Sequence, residues 1–309
     1  MKFLISFFIS LVLASCNKDD ANQEDTTNET ISFLIAPSQT DSNYAASQEK
    51  HYVLTNTTLH TNQLILFIGG SFSVPENYNI VCDEMASLGF DLISVSYPND
   101  IPASTLSSSQ DPLAFDNYRD EICYGNSVSD VVDVDELNSI NVRTIKLLQY
   151  LKNQRPNENW GQYLTAQNTL NWNKIIVAGH SQGSGHACYF GKKNTVSRVL
   201  MFSGPNDYST FFNAPANWLS QEGLTPFSKQ FALLHERDQI VSFESQKANL
   251  VALGLLNSGE SPTHIDNLST PYEHANALST NIFGLSFHNA TIGNNSKLPS
   301  VWKYMLTGN

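Results

Sequence analysis

Gly179-His180-Ser181-Gln182-Gly183 puts a serine between two glycines where the apolar run KIIVAG, residues 174–179, ends. The segment after it, residues 182–193, reads as a helix. A G-x-S-x-G pentapeptide between strand and helix is the pattern of a nucleophile elbow: the tight bend strains the serine backbone and lifts its hydroxyl above the sheet edge. The glycines remove Cβ atoms that would crowd the bend, and the following helix N-terminus favours developing negative charge. A serine hydroxyl attacks poorly at neutral pH. It needs a base within hydrogen-bond reach, usually histidine, and a carboxylate to orient that base.

With these residues in that order the chain resembles the serine esterase and lipase branch of the α/β-hydrolase superfamily over about residues 31–306. The resemblance implies the chain order nucleophile, acid, histidine. Asp238, at the end of HERDQIVSF, matches the acid. Asp207 in FSGPNDYS is the alternative, because some lipases carry the acid after the preceding strand. Either is otherwise a turn aspartate bonding its own backbone. His288 in GLSFHNATIGN follows the last apolar run and matches the base. His274 precedes that run and His264 lies in a polar loop. His180 adjoins the serine and supports the elbow; His186 packs on the helix. The resemblance also implies an oxyanion hole of two backbone amides. One is Gln182; the other belongs to the loop FIGGSFS and is Ser71 or Phe72, since Gly69-Gly70 stands where the family often has His-Gly. The implied reaction is two-step acyl transfer on a carboxylic ester, with no metal or organic cofactor.

These residues need a scaffold. QLILFIGG (63–70) is an apolar run suited to a strand buried on both faces. A helix over 76–90 and a strand over 91–100 complete a βαβ unit, hence parallel pairing. Further strands are expected over 31–38, 51–58, 174–179, 196–204, 230–238 and 276–287, and helices over 136–156, 182–193, 244–255 and 300–306. The alternation predicts an α/β fold: a mostly parallel central sheet with helices on both faces, the α/β-hydrolase fold. Residues 101–134, rich in Ser, Asp and Pro, read as an insertion after the second βαβ strand and a possible lid.

The remaining chain bounds class and compartment. It has 309 residues, 41 % hydrophobic and 15 % charged, a globular composition. A net charge of −12 argues against a nucleic-acid partner. Met1-Lys2, an apolar run over 3–13 and LASC ending at Cys16 read as an export signal. LASC resembles the lipobox of bacterial lipoproteins, which implies cleavage after residue 15 and lipid attachment at Cys16. Residues 16–30 then form a polar tether and 31–309 the hydrolase domain, anchored in the bacterial cell envelope on the periplasmic or outer surface. Of the remaining cysteines, Cys82 and Cys123 are the expected pair, with Cys188 a buried small hydrophobe. Phe115, Tyr118, Tyr124, Trp160, Trp172 and Trp218 are candidates to stack on sugar or aryl groups. The rival functions are an inactive glycan- or peptide-binding lipoprotein, and a peptidase or carbohydrate esterase on the same fold.

Overall fold

The computed structural model describes residues 29–44 and 46–308. The proposed signal and Cys16 lie outside them. The strands in chain order are β1 (Thr30–Ile35), β2 (His51–Asn56), β3 (Leu64–Ile68), β4 (Asp91–Ser94), β5 (Ile175–His180), β6 (Arg198–Phe202), β7 (Tyr208–Ser209), β8 (Ala214–Pro215), β9 (Gln230–His235), β10 (Thr263–His264) and β11 (Ala277–Thr280). The helices are α1 (Pro37–Thr40), α2 (Asn79–Ser87), α3 (Ala114–Tyr124), α4 (Ile140–Gln154), α5 (Gln182–Lys193), α6 (Asn217–Ser220), α7 (Phe243–Ala252), α8 (Phe287–Ala290) and α9 (Leu298–Thr307).

Nine strands form one sheet in the order β1-β2-β4-β3-β5-β6-β9-β11-β10, and β7 pairs with β8 in a separate ribbon. β2 is antiparallel to both β1 and β4, and the pairings from β4 through to β10 are parallel. This is the expected mostly parallel sheet in the α/β-hydrolase arrangement. The central strands are apolar along most of their length because both faces are covered. Side chains alternate across the sheet. Leu64, Leu66, Ile68, Val177, Val199 and Met201 face the layer holding Phe115, Leu147, Leu148 and Phe190. Ile65, Phe67, Ile176, Ala178, Leu200 and Phe202 face the layer of Val81, Met85, Trp302 and Met305.

The helix α4 begins where Ser139 caps it, its side chain accepting from the Val142 amide. It buries Ile140, Leu147, Leu148 and Leu151 together with Arg143 and Thr144.

The region 101–134 holds an element that its composition hides. α3 is eleven residues long and buries Phe115, Tyr118, Arg119, Glu121, Ile122 and Cys123. Arg119 and Glu121 break the apolar period on the buried face. Glu121 accepts the amides of Val128, Ser129 and Val134, which folds the following loop back onto the helix.

The three described cysteines are free and buried. Cys82 lies in the layer of α2 and α9 and Cys123 in the opposite layer, so the sheet separates the expected pair. Of the aromatics read as stacking surfaces, Phe115, Tyr118, Trp160 and Trp218 are core residues.

Candidate active site

Ser181 sits between the end of β5 and the start of α5 with φ 56° and ψ −121°. An L-residue is strained there, which is the conformation an elbow imposes. The flanking glycines are needed for close approach. A Cβ on Gly179 would lie 2.1 Å from the Gly183 carbonyl oxygen, and one on Gly183 would lie 2.0 Å from that of Ile68. The first turn of α5 therefore rests directly on the backbone of β3 and β5. The Ser181 amide donates to the Phe202 carbonyl at 2.9 Å, tying the bend to β6.

His288 is the second residue of the short helix α8, beyond the exit of β11. Its main-chain carbonyl accepts the Ser203 hydroxyl at 2.6 Å and lies 3.1 Å from the His180 Nε2. Its amide donates to Gln239 Oε1 at 3.2 Å. The ring is 4.9 Å from the ring of His180, centroid to centroid. Residue 288 is thus pinned to the ends of β5 and β6, next to the bend that carries Ser181. Its Nδ1 lies 2.7 Å from Asp238 Oδ2, and its Nε2 is buried with no hydrogen-bond partner.

Asp238 follows β9 and its side chain is fully buried. Its Oδ1 accepts the amides of Ile240 and Val241, and its Oδ2 also accepts Gln246 Nε2. Burial works to raise its pKa, but the bond and charge of His288 and the two amides outweigh it and hold the carboxyl below its ordinary value. Burial, and secondly the neighbouring His288, push His180 down to about 3, so that ring stays neutral near pH 7.

Asp207 is also buried, but it serves a cation. Arg119 grips both its oxygens at 3.0 and 2.6 Å, and Trp218 donates to Oδ2 at 2.9 Å. His264, on β10, lies between Glu236 and Asp266. His274 stands on a turn ahead of β11, at the opposite end of the parallel strands from Ser181. His186 is enclosed by Tyr97, Tyr118 and Cys123. Among the described residues, only His288 of these alternatives is bonded to Asp238.

The loop after β3 faces the elbow. The Phe72 amide is taken by the Asn99 carbonyl at 3.1 Å, which leaves the Ser71 amide as the candidate donor of the two. The Ser71 hydroxyl donates to Gln182 Oε1 at 2.6 Å. Gly70 is held by Tyr78, whose hydroxyl accepts the Gly70 amide, and by Asn99, which donates to the Gly70 carbonyl. Gln182, at the first position of α5, has an amide hydrogen that the helix itself leaves free. Tyr78, Asn99, Arg119, Ser203 and Gln239 hold the site together, and no local sequence signal marks them: each acts on a residue distant in the chain or through backbone. Among the described residues no group of three or more His, Cys, Asp or Glu side chains is arranged to hold a metal ion.

Comparisons with protein-family models and with curated proteins found no match. Among solved structures, a protein assigned as a dienelactone hydrolase from Klebsiella pneumoniae subsp. pneumoniae MGH 78578 is similar at 11 % identity and a TM-score of 0.46. A protein of Thermus thermophilus is similar at 14 % identity and a TM-score of 0.44. Each match covers 90 % of this chain and 98 % of the other. Likeness of this degree carries nothing about the chemistry, which rests on the geometry above.

Proposed function

We propose that the chain is a serine hydrolase that cleaves a carboxylic ester through an acyl-enzyme. Ser181 attacks the carbonyl, His288 takes its proton through Nε2, and Asp238 holds the imidazole in the tautomer that leaves Nε2 free to accept. The amides of Ser71 and Gln182 stabilise the oxyanion. His288 then returns the proton to the leaving alcohol and activates the water that releases the acid. The observation that carries this reading is the 2.7 Å Asp238–His288 contact with Nε2 left unpartnered, not bonded to Ser181, on a residue whose carbonyl lies 3.1 Å from Nε2 of His180, the neighbour of the strained serine.

The substrate has an apolar portion. Phe72, Ile240, Phe283 and Leu285 are strongly exposed, and they lie on the loops that carry Ser71, Asp238 and His288. The polar portion, small molecule or polymer, is open. The buried aromatics leave little support for a sugar-stacking site. An inactive binding protein is disfavoured because nothing but a reaction requires the strained serine and the bonded acid–base pair together.

The same reading takes residues 1–15 as a cleaved signal, Cys16 as the lipid-bearing residue, 16–30 as tether and 31–309 as the catalytic domain at the cell envelope. Among the described residues no helix is long and apolar enough to cross a membrane.

A fluorophosphonate probe tests the proposal. Labelling that disappears in Ser181→Ala, together with turnover of p-nitrophenyl esters that disappears with it, supports it. A wild-type protein that is neither labelled nor active refutes it.

A further inference from the structure

We infer that Arg119 is a positioning residue for the reaction, fixing the first turn of α5 and with it the oxyanion amide of Gln182; the inference rests on the reading of Ser181 as nucleophile. Arg119 lies in the middle of α3, and its side chain and that of Asp207 are fully buried. Two of its nitrogens, Nε and Nη2, are committed to the Asp207 carboxylate. The third, Nη1, points the other way and donates to the main-chain carbonyl of Gln182 at 2.7 Å.

A buried ion pair is weak evidence for stability, since well-packed apolar residues often replace one at no loss. What an apolar pair cannot supply is a donor of fixed direction. The guanidinium is a rigid planar fork, so holding two of its nitrogens on a carboxylate aims the third. Here it is aimed at the residue after the proposed nucleophile. The helix makes room for it: a Cβ on Gly185 would lie 2.2 Å from Nη2.

Gln182 is thereby held at two places. Its carbonyl is bonded to Arg119, and its side-chain oxygen accepts the Ser71 hydroxyl and the Ala103 amide. The Gln182 carbonyl belongs to the peptide unit that opens the first turn of α5, so the bond to Arg119 fixes where that turn sits and, through the helix, where the Gln182 amide at its start is placed. An oxyanion donor acts only when aimed at the charge that develops, and hydrogen bonds weaken steeply with misalignment. Arg119 also links the two oxyanion donors to Asp207, which accounts for a buried carboxylate that does not touch His288.

The test uses Arg119→Lys, which keeps the charge and loses the fork, and Gly185→Ala, which displaces the guanidinium while leaving both charges. Active sites are counted with a fluorophosphonate, and kcat per labelled site and KM are measured with p-nitrophenyl acetate. Inhibition by a trifluoromethyl ketone, which mimics the tetrahedral adduct, is measured in parallel. The expected result is a roughly 10- to 100-fold fall in kcat per labelled site, somewhat less than loss of a direct oxyanion donor. KM changes little, and ketone affinity weakens in step with kcat. A merely structural role would reduce the number of labelled sites and leave kcat per site unchanged, and that result overturns the inference. Failure of both variants to fold assigns Arg119 to stability and overturns it too. A wild-type protein that is not labelled at all removes the nucleophile reading itself, so the two failures are distinguishable.

Discussion

Nδ1 of His288 lies 2.7 Å from Oδ2 of Asp238 while Nε2 of the same ring has no partner. The carboxylate is rigid before the histidine meets it, because two backbone amides occupy its other oxygen. An ionised carboxylate can only accept, so it selects the Nδ1–H tautomer and leaves a lone pair on Nε2. The loop carrying His288 is fastened separately: Gln239 bonds both the His288 amide and the Ser286 hydroxyl. The proposed acid and base are thus presented by two loops that are themselves tied together.

The two candidate aspartates should fail in different ways. Asp238→Asn keeps an acceptor for the Ile240 and Val241 amides but no longer selects the tautomer, so kcat should fall by about 10³- to 10⁴-fold, while at neutral pH the variant loses the stability that the ionised carboxylate contributes. Asp207→Ala leaves the buried Arg119 without its counter-charge and should cost about 3–5 kcal/mol of folding free energy. Ester hydrolysis and urea unfolding of the two variants check this. A more stable Asp207→Ala, or an Asp238→Asn of normal kcat, contradicts it.

Asp238 also links stability to pH. Its folded-state pKa is depressed. The group therefore contributes stability that is fully present above the unfolded carboxylate pKa, about 4, and is lost as pH falls through the lower folded value. Between pH 7 and 3 the wild type should lose more unfolding free energy than Asp238→Asn, as measured by urea titration at each pH. Equal losses would show that the carboxylate gains nothing from its partners.

How much of this was readable from the chain depends on whether the signal is local. β3 is legible because a strand covered on both faces must be a continuous apolar run. Ser181 is legible because strand, glycine-flanked bend and helix are contiguous. The HERDQIVSF context favours Asp238 as the acid, but Asp207 also follows a strand end and stays open as the alternative. Distant partners distinguish them: His288 bonds Asp238 from 50 residues away and Arg119 bonds Asp207 from 88. The same holds for the oxyanion loop, where Asn99 takes the Phe72 amide. α3 was hidden because its buried face carries an arginine and a glutamate whose partners lie elsewhere.

Three of the buried histidines, those with the most depressed pKa values, should make the fold acid-sensitive well above the carboxylate range. Burial, with the charge of Arg143, pushes His51 down to about 3; burial with the charge of His288 pushes His180 to about 3; and burial with the charge of Arg119 pushes His186 well below its ordinary value. The unfolded chain takes up these protons near pH 6.5 and the folded one does not. Stability is therefore full above pH 6.5 and declines as pH falls toward 3, at up to about 4 kcal/mol per pH unit if all three differ by a whole proton. In His186→Phe, which replaces a ring packed against Tyr97 and Tyr118, the slope should fall by about one proton. An unchanged slope would mean that His186 is protonated in the fold.

Two glycines near Ser181 should separate activity from folding. A Cβ on Gly183 would meet the Ile68 carbonyl oxygen at 2.0 Å and the Gly69 carbonyl oxygen at 2.5 Å, both backbone atoms that cannot yield cheaply. Gly183→Ala must push α5 off β3, and a loss of several kcal/mol or failure to fold is expected, comparable to severe overpacking of a core. A Cβ on Gly70 instead meets the Ser181 Cβ at 3.0 Å and the His180 carbonyl oxygen at 3.3 Å. Shifts of a few tenths of an ångström relieve that contact, so Gly70→Ala should fold with a melting temperature near the wild type. The relief must come from the serine or from the loop that carries the Ser71 amide. Nucleophile and oxyanion donor then lose their alignment, and kcat should drop by about 10-fold or more while KM moves little. Thermal melts and p-nitrophenyl acetate kinetics on the pair decide the matter. An active Gly70→Ala with wild-type kcat would mean that the loop after β3 stands clear of the reaction.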